Sequence, residues 1–424
     1  MRSTVGYDVV ISGASIAGCA AAMLLARQGA RVALLERRKE HGSYKVLCTH
    51  YLQSSARPVL EELGLISALE AAGAVRAYGR WYTRWGWAEP KPGLGGEPLP
   101  YAYNVRRSVL DRLLRDHAAA TSGVDLLLGH TVIGLLSEGG CTVGVRVRTA
   151  DGEHEVRAPL VVGADGNNSE VAKYAGAPAR VHANARFSYF AHFRDLPTPD
   201  GLSQTWFLEP DVAYALPTDD GVTVMGVSPD RKKLPAFRAD LENSFMTFLR
   251  ELPGELPIDA AQRVTKITGT THYPLYSRRP AGRGLALIGD AATTSDPVWG
   301  VGCGWALQSA QWLAEAVGPA VAGQGDLDRA LKAYRRRHRR GLRAHQFMIA
   351  DYAKGRPFNL FERLMFSAAA RDADIARHLH RFAARLIGPV QLMNPAAVAK
   401  ALLVVLRHRG RPQPASRELV RDAS

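Results

Sequence analysis

The apolar positions fall into three regimes along the chain. Val9-Val10-Ile11 is a short unbroken run closed by Ser12-Gly13, and such a run predicts a strand covered on both faces, as in a parallel sheet. Cys19 to Gln28 is rich in small apolar residues and predicts a helix, which Gly29 stops. Arg31-Val32-Ala33-Leu34-Leu35 predicts a second buried strand ending in Glu36, so the opening is one β-α-β unit. Runs of the same buried kind recur at Pro159–Gly163 and Gly284–Ile288. The middle of the chain behaves differently. Tyr101–Val105, Phe187–Phe193, Thr205–Leu208, Val212–Leu216 and Val222–Val227 alternate and are β-branched or aromatic, predicting a mostly antiparallel sheet. After residue 345 the pattern is helical, broken at Pro357, Pro389 and Pro395. Pro395–Arg407 is apolar with a basic end; it is expected to pack over the sheet, with attachment to a membrane interface as the competing reading.

Composition narrows this picture. With 46% hydrophobic and 22% charged residues, the 424-residue chain can bury a large core and is neither disordered nor collagenous. The formal charge of +14 is concentrated late, in Arg335–Arg340 and in Arg407–Arg411. No nucleic-acid module accompanies it, so the arginine run reads as a solvated helix face, with phosphate or partner binding as the alternative. Cys19, Cys48, Cys141 and Cys303 form no CxxC pair and no disulfide framework, which suits a reducing, cytoplasmic setting. No metal-ligand spacing is evident. Val9–Ala26 could pass for a secretory segment, but Ser12-Gly13, Ser15 and Gly18 interrupt it, and no other run is long enough to span a membrane.

The turn after the first strand carries the first chemistry. Gly13-Ala14-Ser15-Ile16-Ala17-Gly18 is a G-x-S-x-x-G version of the dinucleotide fingerprint. Its first glycine allows the tight turn, its last lets helix and strand pack, and Ser15 stands where a second glycine usually lets a pyrophosphate approach a helix N-terminus. Glu36 lies 23 residues beyond Gly13, close to the spacing expected of a carboxylate that accepts from ribose hydroxyls, with Arg37 beside it. Two later segments add to this. Pro159–Ser169 contains Gly163-Ala164-Asp165-Gly166, and Gly284–Ala292 ends in Gly289-Asp290, whose carboxylate could meet ribityl hydroxyls. A glycine-rich helix start follows, Pro297-Val298-Trp299-Gly300-Val301-Gly302-Cys303-Gly304, able to offer N–H groups and dipole to an anion.

In order and spacing these three motifs resemble the FAD-dependent monooxygenases of the para-hydroxybenzoate hydroxylase type, relatives of flavin-dependent halogenases and geranylgeranyl reductases, over about residues 5–345. The resemblance implies an α/β fold: a Rossmann-type FAD-binding domain (1–75, 104–178 and 270–345) interleaved with an antiparallel-sheet substrate domain (76–103 and 179–269). C-terminal helices (346–410) and a flexible tail (411–424) would follow. It implies that Gly13, Ser15, Ile16, Ala17, Gly18, Glu36 and Arg37 hold the AMP half of FAD, with Val132 near the adenine. Arg107, in an Arg-x-x-Leu, would lie near the flavin phosphate and ribityl. Asp165 would join FAD and NAD(P)H handling, Gly289 and Asp290 would meet the ribityl chain, and Pro297, Gly300, Gly302, Cys303 and Gly304 would flank the isoalloxazine. Lys45, in a segment similar to one in the reductases, would approach the flavin or be a surface lysine.

Departures from the family pattern limit the carry-over. Ala172 stands where the Asp-Gly motif usually ends in Arg, Thr293 replaces a common His and Gly304 a common Asn. NAD(P)H or an external flavin reductase therefore both stand as electron sources. Val212-Ala213-Tyr214-Ala215-Leu216-Pro217 sits where halogenases carry Trp-x-Trp-x-Ile-Pro and lacks that signature. Trp206, Tyr214 and Trp299 are candidate walls of a substrate pocket, with core packing as the alternative for each. His50, His272 and Tyr273 are minor candidates for proton handling, and no catalytic side chain is assigned. The implied reaction is oxygen insertion into an aromatic or polyene small molecule of specialised metabolism, with O2 as co-substrate and a flavin hydroperoxide as the oxygen donor. The alternatives are a C=C reductase, a halogenase-like enzyme or a flavoprotein that only carries an intermediate.

Overall fold

The computed structural model of the chain describes residues 6–91, 98–254 and 256–409. The opening forms as its pattern predicts: β1 (Val9–Ser12), α1 (Ile16–Ala26) and β2 (Val32–Glu36). β1 lies inside a six-stranded sheet, paired in parallel with β2 on one side and with Leu160–Gly163 on the other. Beyond β2 lies Val124–Leu128, and beyond Leu160–Gly163 lie Leu285–Leu287 and a short antiparallel edge, Ala281–Gly282. The chain thus builds outward from β1 in one direction and later returns to build in the other. That reversal opens a crevice at the carboxyl ends of β1 and Leu160–Gly163, where ligands bind in such sheets.

Every residue of α1 is buried, because the Gly302–Val321 and Arg107–Ala119 helices pack against it. Gly18 makes this possible: a Cβ there would lie 1.8 Å from the carbonyl oxygen of Gly13. Gly13 is itself constrained twice, by a φ of 107° and by a Cβ position 2.6 Å from the Ala164 carbonyl oxygen. Only glycine lets the two strand-end loops approach so closely.

The second sheet is mostly antiparallel, with Ser188–Arg194, Thr223–Ser228, Val212–Pro217 and Ser203–Phe207 side by side. Gly79–Thr83 extends it in parallel with Ser203–Phe207. The expected strand at Tyr101–Val105 is not part of it. Ala102–Asn104 forms a small separate sheet with Tyr51–Leu52 and Val75–Ala77, because the chain turns at once into the Arg107–Ala119 helix that packs on α1. One face of the large sheet buries Phe187, Phe193, Trp206 and Phe245 in a single cluster.

The helix Leu327–Tyr352 runs unbroken through residue 345, so no helix boundary marks the expected start of a C-terminal segment there. Its Leu331, Tyr334 and His338 point inward and most of the arginine run faces solvent, as the charge pattern predicted. The helices Leu360–Ala369, Ala373–Ala383 and Pro395–Arg407 close one edge of the large sheet, sharing a core with Phe207 and Val212. Of the last helix only Ala401 and Val404 are buried. The tail at 411–424 lies outside the described residues. Among the described residues no helix is long and apolar enough to cross a membrane, and no cluster of His, Cys, Asp or Glu could hold a metal ion.

Candidate functional site

Two adjoining cavities occupy the crevice between the sheets. The larger, about 620 Å³, runs from the Gly13 turn along the carboxyl ends of the parallel strands to the start of the Gly302–Val321 helix. It falls in the size range of cofactor sites. Gly13, Ser15, Ile16, Ala17, Glu36, Arg37, Lys45, Arg107, Val132, Asp165, Asp290, Pro297, Gly300, Gly302 and Cys303 all line it. Three other candidates stand behind the wall. Gly18 serves helix packing, Gly289 donates its N–H to Ser309 Oγ at 2.9 Å, and Gly304 faces Gln53 and Ser55.

At the β1 end, the Glu36 carboxylate accepts from the Ala14 N–H (3.1 Å) and the Arg38 N–H (3.0 Å), which fixes it across the mouth of the glycine turn. Under that turn lies a buried ion pair. Arg107 reaches Asp111 through Nε (2.9 Å) and Nη2 (2.7 and 2.9 Å) and donates to Ser15 Oγ at 2.6 Å. Burial alone would disfavour the guanidinium charge, but Asp111 outweighs it and holds Arg107 cationic. The family resemblance had drawn Arg107; Asp111 was missed, although its place four residues on, one helical turn away, was a readable signal.

The Asp165 carboxylate is engaged within its own turn. It accepts from Ser169 Oγ (2.5 Å) and the Val171 N–H (3.1 Å), starting the short Glu170–Tyr174 helix, while burial raises its pKa. Arg278 spans the two late motifs, donating to the Ala291 and Asn167 carbonyls at 3.0 and 2.9 Å. Sequence reading gave it no part, since a lone Arg in a strand carries no positional signal.

Farther along, Lys45 Nζ meets Asp290 Oδ2 at 2.7 Å across 245 residues of sequence. Asp290 holds the ammonium well above its ordinary pKa, against the opposing effect of burial. The half-exposed Lys45 side chain lies along the larger cavity, which it lines together with Asp290. Tyr273 also lines this cavity, its phenol pushed up by burial and then by Asp290. His272 is exposed and His50 is buried, its Nδ1 accepting from the Arg107 N–H at 3.0 Å; neither lines the larger cavity or its smaller neighbour.

The smaller cavity, about 100 Å³, shares Thr49, Pro297 and Gly300 with the larger one. Its walls are the rings of Tyr51, Trp81, Phe207, Tyr214 and Trp299, and the His380 ring lies flat on Trp81 with centroids 3.6 Å apart. Gln53 ties the wall together, donating to the Trp299 and Ala383 carbonyls at 3.3 and 2.8 Å. Among the described residues, Gln53 Oε1, Trp299 Nε1 and His380 Nε2 are buried without a protein partner. Tyr214 and Trp299 thus lie where a pocket wall was expected, but Trp206 does not. Thr205 pairs with Tyr214 on the cavity face, so its neighbour Trp206 must point to the opposite face, where its indole N–H donates to the Pro253 carbonyl at 2.7 Å.

A β-α-β glycine turn with a carboxylate fixed across its mouth, under a second sheet that roofs the crevice, is the arrangement of a dinucleotide-binding oxidoreductase of the flavoprotein class. The chain belongs to the FAD binding domain family, which matches residues 6–348. It is similar to digeranylgeranylglycerophospholipid reductase of Picrophilus torridus, 27% identical over 346 residues and covering 78% of this chain and 83% of the relative. The enzyme of that name from Methanosarcina acetivorans is 28% identical, covering 78% and 80%. Among solved structures, the flavin-dependent brominase Bmp2 superposes with a TM-score of 0.75 at 20% identity, over 95% of this chain and all of the other. PqsL of Pseudomonas aeruginosa, with 2-aminobenzoylacetate bound, gives a TM-score of 0.70 at 22% identity, over 90% and 99%. The structural likenesses speak for the fold, and the family for an FAD-dependent oxidoreductase.

Proposed function

We propose that this protein is an FAD-dependent monooxygenase that hydroxylates or epoxidises a small aromatic or polyene molecule. The observation that carries the proposal is the compact, aromatic-walled chamber that adjoins the larger cavity at Thr49, Pro297 and Gly300. Such walls stack a flat, electron-rich substrate.

The larger cavity suits FAD in its donor set. The Gly13–Ala17 turn brings backbone N–H groups and the α1 N-terminus to a pyrophosphate, and Glu36 can accept from the adenosine ribose. Arg107 adds positive charge beneath Ser15, and the Lys45–Asp290 pair presents both a donor and an acceptor to a polyol chain. When bound, FAD supplies the two-electron and oxygen chemistry. The protein's own residues bind it, orient the substrate and keep water from the chamber. Electrons would come from NAD(P)H or a separate flavin reductase, and oxygen from O2.

A C=C reductase is the second reading, favoured by the relatives named digeranylgeranylglycerophospholipid reductase. Turnover under 18O2 separates the two. One labelled oxygen per product molecule is the expected result; full turnover without O2, with no label incorporated, would overturn the monooxygenase assignment.

A further inference from the structure

Cys48 and Cys303 come from distant parts of the chain, yet their Sγ atoms lie 3.8 Å apart on the wall of the larger cavity. The two are mounted differently. Cys303 is held near the start of the rigid 20-residue Gly302–Val321 helix. Cys48 lies in the irregular segment between β2 and Tyr51–Leu52. A disulfide requires about 2.05 Å between sulfurs, so the remaining gap can close by rotation or a small shift of the Cys48 side.

The surroundings favour thiolate chemistry. Cys48 Sγ accepts a hydrogen bond from the His50 N–H at 3.3 Å. The Cys303 thiol, then Arg107 and Lys45, draw the Cys48 pKa down, while the proton the pair retains is held on Cys303. A helix N-terminus beside the pair works in the same direction. The other two cysteines show the contrast: Cys19 is fully buried with its thiol pKa raised by burial, and Cys141 donates to the Thr142 carbonyl at 3.7 Å. Ordinary packing needs neither a paired sulfur nor cations around it.

We propose that Cys48 and Cys303 form a dithiol–disulfide couple that exchanges electrons with FAD held in the same cavity. In the oxidative direction both thiols lose their protons, one Sγ–Sγ bond forms, and two electrons pass to oxidised FAD, which takes up two protons to become FADH2. In reverse, FADH2 breaks the bond and both thiols return. Monooxygenation does not require this couple, so it is an additional redox site in the protein and an electron store beside the flavin.

The test uses the FAD-loaded full-length protein, oxidised with ferricyanide, desalted, and titrated anaerobically with dithionite in the absence of substrate. The native protein is expected to take up twice the reducing equivalents per FAD that Cys48→Ser or Cys303→Ser takes up. Peptide mass mapping should find a Cys48–Cys303 cross-link before the titration and two alkylatable thiols after it. Equal uptake in native and variant proteins, both thiols alkylated in the oxidised protein, a cross-link that survives flavin reduction, or flavin covalently attached to either sulfur would each overturn the proposal. The mapping needs only native protein, so a variant that fails to fold leaves the test intact. The absence of substrate and O2 keeps the outcome separate from that of the monooxygenase assignment.

Discussion

Replacing Asp111 with Ala should destabilise the protein far more than an ordinary ion-pair deletion, and the structure says by how much. Asp111 and Arg107 are 2% and 3% exposed. The carboxylate takes three hydrogen bonds from the guanidinium, one from the Lys45 N–H at 3.0 Å and a longer one from Ser15 Oγ at 3.3 Å. Without it the buried guanidinium keeps only Ser15 Oγ. Stranding a buried charge in this way costs about 3–5 kcal/mol. The double variant Arg107→Met/Asp111→Leu removes both charges and fills their volume, and should lie within about 1–2 kcal/mol of the native protein. Equilibrium urea unfolding of the FAD-free protein, followed by tryptophan fluorescence, measures all three. The double variant should still bind FAD poorly, because the cation beneath the glycine turn is gone. A loss below about 1 kcal/mol in Asp111→Ala, or a double variant no more stable than the single, would refute the reasoning.

Asp290→Asn should weaken FAD binding about tenfold while leaving the unfolding midpoint of the FAD-free protein nearly unchanged, because it removes the charge-assisted bond to Lys45; equal affinity by flavin fluorescence quenching would reduce Asp290 to a turn residue. Burial, and secondarily Arg385, lowers the His338 pKa from 6.5 to about 4. Its stabilising effect is therefore complete above pH 6.5 and is lost as pH falls through 4, worth about 3 kcal/mol in all. His338→Leu should flatten the stability profile over that window, and an unchanged acid limb would count against the argument. Trp206→Phe should cost about 1–3 kcal/mol through the unmet Pro253 carbonyl, with substrate KM unaltered; a raised KM would return Trp206 to the pocket.

What the sequence disclosed tracks the range of the interactions involved. The glycine turn, Glu36 and the strand-end Gly-Asp are local patterns whose conformations follow from a few adjacent residues, and of them all but Gly18 and Gly289 line the larger cavity. The partners that complete the wall are long-range. Lys45 with Asp290, Cys48 with Cys303 and Arg278 with Asn167 and Ala291 become neighbours only once segments far apart in sequence have folded together. No periodicity predicts them. Trp206 failed for another reason. Aromatic content marked the strand, but which face an aromatic takes depends on register, and Thr205↔Tyr214 pairing puts Trp206 behind the sheet. The chamber's C-terminal wall, His380 and Ala383, escaped because an amphipathic helix announces a buried face without saying what it is buried against.

The chamber's proton inventory bears on which reaction the protein runs. Reducing a carbon–carbon double bond takes a hydride and a proton, so a reductase pocket needs an acid within reach of the substrate. The Tyr51 phenol is pushed up to about 12 by burial, the Tyr214 phenol is raised by the same cause, and the His380 imidazole is driven down to about 4, leaving it unprotonated near neutral pH. Each of these groups thus holds its neutral form: the two phenols keep a proton as weak acids, while the imidazole has none to give. The charged groups, Lys45, Arg107 and Asp290, line only the larger cavity. Oxygen transfer to an electron-rich ring asks less of the substrate's walls: a flat apolar seat, a fixed orientation and the exclusion of water. Five aromatic rings and a neutral stacked imidazole supply that seat. On the proposed monooxygenase function the same division of labour accounts for the lack of a catalytic side chain in the sequence: the chamber's groups would act by packing and the charged groups on the cofactor.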